Sequence, residues 1–162
     1  MKTPSRRFAL LLPVLLAVGP SFADGLHFER VGSVSGPPPE VITTIYEDRA
    51  GFIWIGSRDG LIRYDGYSFE VFEHDTSDPK SISDNSIRII YEDSRLNLWV
   101  GTNTGGLNRL DRATWEFEHF RHDSADPSSL SHDSVYAMVE DSAGDLWVGT
   151  QVGLNRLDRE NN

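Results

Sequence analysis

The stretch YEDSRLNLWVGT at residues 91–102 decides the fold, because it occurs three times in the chain. It returns 48 residues later as VEDSAGDLWVGT at 139–150, and a related stretch, YEDRAGFIWIGS, stands 45 residues earlier at 46–57. A period of about 45 residues built from short apolar runs is typical of propeller blades, four-stranded sheets that cannot bury their faces alone. The chain is therefore predicted to be an all-β repeat protein made of antiparallel blades.

Two further motifs extend the repeat. GLIRYD at 60–65 matches GLNRLD at 106–111 and 153–158, and FEVFEHD at 69–75 matches FEHFRHD at 117–123. These motifs divide the chain into blade 1 (41–82), blade 2 (83–130) and a partial blade 3 (131–162) that lacks a fourth strand. Alternation of apolar and polar residues predicts strands at 41–47, 52–55, 61–64, 69–74, 86–92, 98–101, 107–110, 115–121, 135–140, 146–149 and 154–157.

The motifs resemble the two component regulator propeller repeats of bacterial periplasmic sensor proteins, over about residues 26–159. Two departures are Leu96, where the other repeats carry Gly51 and Gly144, and the added Gly105. The resemblance implies the N-terminal fragment of a sensor region from a hybrid histidine kinase or diguanylate cyclase. The complete receptor would then have a downstream signalling domain with that activity and an inner-membrane anchor, and the resemblance also allows a homodimer.

The N-terminus predicts export to the periplasm. Residues 1–23 read as a signal peptide, with a basic start, an apolar run at 8–18 and a small-residue cleavage site that leaves Asp24 first. The apolar run is too short for a membrane-spanning helix, which needs ~20 residues.

Charge and composition exclude several function classes. Cleavage would remove three basic residues and no acidic one, so the net charge falls from −10 to 12 − 25 = −13. Nucleic acid is a poor partner for such a chain, because phosphate binding draws on clusters of lysine and arginine. With no cysteine, the chain has no disulfide and no thiol nucleophile.

Three blades are too few to close a ring, since propellers typically have about four to eight. We therefore expect an incomplete piece of a larger propeller. In the N-terminal segment 24–40, residues 26–31 have the apolar spacing of an outer strand that would complete the last blade of such a ring.

Residues repeated in register are predicted to be structural. Tryptophan at the same place in every repeat favours a wedge between blades over a stacking platform for a ligand. Aspartate at the end of a strand favours a turn cap over an acid or base. The residues concerned are Trp54, Trp99, Trp147, Asp48, Asp93 and Asp141.

No catalytic, metal or cofactor site is predicted. His119 and His122 would point to opposite faces of a strand, which disfavours zinc. Gly32–Gly36 has the wrong spacing for a nucleophile elbow, and no carboxylate pair suited to glycosidase chemistry is visible.

A ligand site, if present, should lie on one face of the ring. The loop between the second and third strands and the loop that enters the next blade open on the same side, and their residues vary between repeats as a recognition surface would. They are Arg58, Asp59, Asn103, Thr104 and Gln151 from one loop set, and Asn85, His132 and Asp133 from the other.

Two functions stay open at this point. The first, implied by the resemblance, is a non-catalytic periplasmic module that senses a small molecule or an oligosaccharide, with the remaining propeller blades and a signalling domain as partners. The second is an exported propeller enzyme or binding protein that acts on polysaccharide, with its catalytic residues in other blades.

Overall fold

Three antiparallel sheets follow one another along the chain in a computed structural model, which describes residues 26–28, 31, 41–157 and 159. Blade 1 (residues 42–72) and blade 2 (residues 87–120) each have four strands, paired in the order in which they occur in the chain. Blade 3 (residues 135–156) has three strands, paired in the same way. The predicted fold class, propeller blades of antiparallel strands in an incomplete ring, is confirmed.

All eleven predicted strands are present, and their ends shift by two residues at most. The strands of the three blades are β1 (Ile42–Glu47), β2 (Ile53–Ser57), β3 (Leu61–Tyr64), β4 (Phe69–Phe72), β5 (Ile87–Glu92), β6 (Leu98–Thr102), β7 (Leu107–Asp111), β8 (Glu116–Phe120), β9 (Val135–Glu140), β10 (Leu146–Thr150) and β11 (Gly153–Arg156).

The predicted leader lies outside the described residues and stays a prediction. Of the predicted ring-closing strand at 26–31, the structure describes Leu26, His27, Phe28 and Val31, which lie in no strand and are exposed. They belong to a unit that ends at Val31, separate from the unit that begins at Gly32. The closing strand therefore also stays a prediction.

Apolar side chains fill the two spaces between neighbouring blades. The first core surrounds Trp54 of blade 1 and includes Ile87, Ile90 and Val100 of blade 2. The second surrounds Trp99 of blade 2 and includes Val135, Met138 and Leu146 of blade 3. The sheets of blades 1 and 2 therefore each bury one face against the blade that follows, as expected of repeats that cannot bury their faces alone.

The turn between the first and second strands keeps its shape in all three blades. Leu96 adopts a φ of 66°, close to the 87° of Gly51 and the 86° of Gly144. Its amide donates to the Asp93 carbonyl at 3.0 Å, as the amide of Gly51 donates to the Asp48 carbonyl at 2.9 Å. The sequence departure at Leu96 therefore leaves the turn unchanged, with a leucine in a region that favours glycine.

Glycine on the second strand sets the distance between blades. A Cβ atom added to Gly101 would lie 2.6 Å from Cγ1 of Val135, and one added to Gly56 would lie 2.7 Å from Cγ2 of Ile87. In blade 3, a Cβ atom at Gly149 would meet no described residue but Ala137, at 3.5 Å. Only glycine allows the inner strand of the next blade to come so close.

We expect Gly101→Ala to lower the free energy of unfolding by about 1–3 kcal/mol, because the added methyl group overpacks a filled space. Gly149→Ala, at the same repeat position, should lower it by less than about 1 kcal/mol. Urea denaturation of both variants measures the difference. Equal losses would show that the strand itself, and not the neighbouring blade, requires glycine.

Candidate functional site

The structure brings the two predicted loop sets together on one side of the blades. The amides of Asn103, Gly106 and Gln151 donate to the carbonyls of Ser86, Asp133 and Ser134, each at 2.9 Å. We call this side the loop face; it comprises residues 58–59, 103–105 and 151–152 with residues 84–86 and 132–134. The turns between first and second strands and between third and fourth strands lie on the opposite side.

Three of the eight predicted ligand-binding residues form bonds that recur in the repeat. Asn85 Oδ1 accepts a hydrogen bond from the His74 amide at 2.6 Å, and Asp133 Oδ1 accepts one from the His122 amide at 2.7 Å. His132 Nδ1 accepts from the amide two residues on, as the carboxylate of Asp84 does in the preceding connection. Asn85, His132 and Asp133 therefore have a structural role that comparison of the repeats did not reveal.

The other predicted residues remain at the surface of the loop face. Arg58, Asp59, Thr104 and Gln151 are exposed, and Asn103 is half-buried. Thr104 donates to Asp84 Oδ2 from both its amide and its hydroxyl group, each at 2.7 Å. Burial acts to raise the pKa of Asp84, but hydrogen bonds from Ser86 and Thr104 outweigh it and lower the pKa below its ordinary value.

A β-bulge opens each inner strand beside the loop face. The register shifts between Ile42 and Thr44, between Ile87 and Ile89, and opposite Gly149 and Thr150. The extra residue in each bulge is Thr43, Arg88 or Tyr136. A bulge re-aims the side chain that it carries, so the three blades offer three different groups at one position.

Arg88 connects two of these bulges to the predicted loop residues. Its Nε atom lies 2.9 Å from Asn103 Oδ1, and its Nη2 atom donates to the same oxygen. Its Cζ atom lies 4.3 Å from the centre of the Tyr136 ring, in a cation–π contact. Arg88, Asn103 and Tyr136 therefore form one cluster at the loop face.

Sequence reasoning missed Arg88 and Tyr136, although a signal was present. The two residues are 48 positions apart and Thr43 lies 45 positions before Arg88, so all three occupy one place in the repeat with unlike chemistry. Unlike residues at one repeat position were also the criterion by which the loop residues were predicted to bind a ligand.

The repeated aspartates hold the turns on the opposite side. The Oδ1 atom of Asp48 accepts from the amides of Ala50 and Phe52, at 3.0 and 2.9 Å, and Asp93 and Asp141 each accept from two turn amides in the same way. The Oδ2 atom accepts the indole N–H of the tryptophan six residues on, at 2.8 Å in every blade. Each aspartate therefore ties a turn to the tryptophan of its own blade.

For Asp48 and Asp93, an arginine joins the aspartate to the blade that follows. Arg112, between β7 and β8, donates to Asp48 Oδ2 of blade 1 at 2.8 Å and to Glu92 Oε2 of its own blade at 2.6 Å. Arg159, after β11, lies 3.0 Å from Asp93 Oδ2 and 3.4 Å from Glu140 Oε1. We call this arrangement the interblade clamp; the pairs Asp111-Arg112 and Asp158-Arg159 were its signal in the sequence.

The clamp keeps its aspartate ionised. Burial acts to raise the pKa of Asp48, but hydrogen bonds from Trp54, Arg112 and Phe52 together lower it below the ordinary value. The balance at Asp93 is similar, with Trp99 and Asn97 as the main donors and the charge of Arg159 in addition. These carboxylates are thus held by the framework.

The tryptophans differ in burial. Trp54 and Trp99 are 0% and 1% exposed in the two cores, so neither offers a free ring face to a ligand. Trp147 of blade 3 is half-buried.

The histidines of the connections bond to backbone carbonyls. His74 Nδ1 lies 2.8 Å from the Ile82 oxygen, and His122 Nδ1 lies 2.7 Å from the Leu130 oxygen. An open groove of 360 Å³ beside His74 is lined by His74, Asp75, Thr76, Asp78, Pro79, His119 and Arg121. Within the described ranges, no group of three or more acidic or histidine side chains could hold a metal ion.

The described residues define a class of protein: consecutive propeller blades with unlike residues gathered on one face. No helix in this part of the chain is long and apolar enough to cross a membrane. Residues 36–59, 81–104 and 129–151 match the two component regulator propeller family. The chain therefore carries three two component regulator propeller repeats.

Solved structures and a curated protein agree with this family. The extracellular domain of the hybrid two component system BT3049 from B. thetaiotaomicron superposes with a TM-score of 0.73 and 27% identity over 82% of this chain. That of the one component system BT4673 from the same organism gives a TM-score of 0.61 and 31% identity over 74%. Histidine kinase P4 of Formosa agariphila is 33% identical over 56 residues, or 35% of this chain.

The chain is short compared with these proteins. It spans 19% of the BT3049 domain, 16% of the BT4673 domain and 4% of histidine kinase P4.

Proposed function

We propose that the chain is part of a ligand-sensing propeller of a bacterial signal-transduction receptor, with the ligand bound at the loop face. The observation that carries the proposal is the cluster of Arg88, Asn103 and Tyr136. These residues lie at repeat positions whose identity differs from blade to blade, whereas the framework around them is constant. The ligand is a small molecule or an oligosaccharide.

The rest of the receptor is proposed from the similar proteins. Two of them are extracellular domains of two component or one component systems, and one is a histidine kinase. We propose a periplasmic location after cleavage at residue 23, an inner-membrane anchor, and a histidine kinase or diguanylate cyclase as output domain. A homodimer of the receptor belongs to the same proposal.

The alternative of an exported enzyme that acts on polysaccharide has no support in the described residues. The carboxylates of the repeated aspartates are committed to turn amides and indole N–H groups. They therefore provide framework contacts and no free acid or base.

We expect Tyr136→Ala to weaken ligand binding by about tenfold or more, which corresponds to about 1.4 kcal/mol. The test is calorimetric titration of the intact protein with a panel of neutral oligosaccharides, acidic oligosaccharides and small organic acids. Tyr67→Ala is the matched control, because Tyr67 is 91% exposed in a turn on the opposite side.

Binding of at least one compound, weakened by Tyr136→Ala and unchanged by Tyr67→Ala, is the expected result. A panel in which nothing binds the intact protein would refute ligand sensing of this class. Equal effects of the two tyrosine variants would place the ligand away from the loop face.

A further inference from the structure

Arg88 differs from most other described arginines in the partner that holds it. Arg49, Arg63, Arg109, Arg112, Arg156 and Arg159 each lie within ion-pair distance of a carboxylate. Arg88 donates two hydrogen bonds to Asn103 Oδ1, a neutral acceptor. In a chain of net charge −10, the positive charge of Arg88 is thus left without a described acidic partner.

The acidic residues nearby are engaged elsewhere. Asp84 accepts hydrogen bonds from the Ser86 amide and from Thr104, and Asp133 accepts one from the His122 amide. Among the described residues, no ion pair joins Arg88 to Asp59, Asp84 or Asp133, the acidic residues of the loop face, so this face supplies no internal counter-ion for the guanidinium.

The guanidinium is also held in place before any ligand arrives. Asn103 binds it through Nε and Nη2, and the Tyr136 ring covers its face at 4.3 Å. The five N–H donors of an arginine form a rigid fork that matches a carboxylate, and fixing the fork in advance reduces the entropy lost on binding. Tyr136 remains 49% exposed, so ring surface is available beside the guanidinium.

We propose that Arg88 is the anchor for a carboxylate group of the ligand at the loop face. This inference rests on the proposed function and names its ligand class: an acidic sugar, such as a uronate residue of an oligosaccharide, or a free organic acid. Arg88 supplies charge-assisted hydrogen bonds to the carboxylate, Asn103 positions the guanidinium, and Tyr136 borders the remainder of the ligand.

The test compares acidic oligosaccharides with the same compounds after reduction of their carboxyl groups, by titration into the intact protein. Reduction should weaken binding at least tenfold. Arg88→Met should weaken binding of the acidic compound by a similar factor, and Arg88→Lys should retain part of it. On the reduced compound, the wild type and Arg88→Met should bind alike.

Arg95→Met is the matched control, because Arg95 is exposed in a turn on the opposite side; it should bind like the wild type. Succinate, titrated alone, separates a free organic acid from a sugar as the source of the carboxylate, and either source supports the anchor. Comparison of acidic and reduced compounds on the wild type tests the proposal even if Arg88→Met does not fold.

Two results would overturn the anchor. If acidic and reduced oligosaccharides bind equally well, or if Arg88→Met binds the acidic compound as tightly as the wild type, the ligand is not held through a carboxylate at Arg88. In both cases binding that depends on Tyr136 would leave the proposed sensing function intact. Absence of any binding would reject both.

Discussion

Trp99→Ala is expected to lower the free energy of unfolding by about 3–5 kcal/mol, because it opens a cavity in the core between blades 2 and 3. Trp99 is 1% exposed and packs with Val135, Met138 and Leu146. Its ring centre lies 5.6 Å from that of Phe120. Urea denaturation of the intact protein, followed by tryptophan fluorescence and circular dichroism, measures the loss.

Trp99→Phe separates the cavity from the hydrogen bond. Phenylalanine keeps most of the apolar volume but cannot donate to Asp93 Oδ2, which Trp99 Nε1 reaches at 2.8 Å. We expect this variant to lose about 1–3 kcal/mol, the cost of leaving a buried acceptor short of one donor. A loss below about 1 kcal/mol for Trp99→Ala would contradict the buried position of the indole.

Arg112→Met should lower the free energy of unfolding at neutral pH by roughly 3 kcal/mol, because it removes the cation from two buried carboxylates. The side chains of Asp48 and Glu92 are 0% and 2% exposed, whereas that of Arg112 is 28% exposed. Methionine preserves much of the apolar stem, so the loss reports mainly on the charge. Arg109→Met is the control; its partner Glu118 is half exposed, and such pairs contribute about 0–1 kcal/mol.

The loss of unfolding free energy in Arg112→Met should depend on pH, and the lowered pKa of Asp48 determines the direction of that dependence. The folded pKa of Asp48 is lowered, so its contribution is fully present above the ordinary aspartate pKa of about 3.9 and is lost as pH falls through the folded value. Without Arg112, fewer interactions offset the effect of burial on the Asp48 carboxyl group, so its pKa rises. The difference between wild type and Arg112→Met should therefore shrink as pH is lowered below about 4. A pH-independent difference would show that the guanidinium acts by packing alone.

Much of the fold was predictable because one local rule repeats. Each blade places an aspartate at the end of its first strand and a tryptophan six residues later, so three copies of weak strand evidence reinforce one another. Turn residues such as Gly51 and Gly144 then marked where the strands end. The strand positions depend on local alternation of apolar and polar residues and on turn residues, both of which can be read from one sequence.

The candidate site was predicted only in part, because its geometry depends on long-range register. Alternation alone places Arg88 on one face of β5, but the bulge re-aims it toward Asn103, 15 residues later. Asn85 and Asp133 occupy the same repeat position and differ in residue type, yet each provides an Oδ1 acceptor for the backbone amide of a histidine. The difference in charge thus hides a structural role that the two residues share.

In the interblade clamp, the arginine always comes from the later blade and the aspartate from the earlier one. This order restricts which blades can be duplicated within the array. Blade 2 supplies Arg112 to the blade before it, and the segment after β11 supplies Arg159 in the same sense. Blade 1 has Gly66 after Asp65, where Arg112 follows Asp111. A duplicated blade 2 would bring its own cation to any blade that precedes it, whereas a duplicated blade 1 would leave the aspartate of its predecessor buried without one. Copies of blade 2 can therefore be inserted within the array, and blade 1 is suited only to a position whose predecessor needs no arginine.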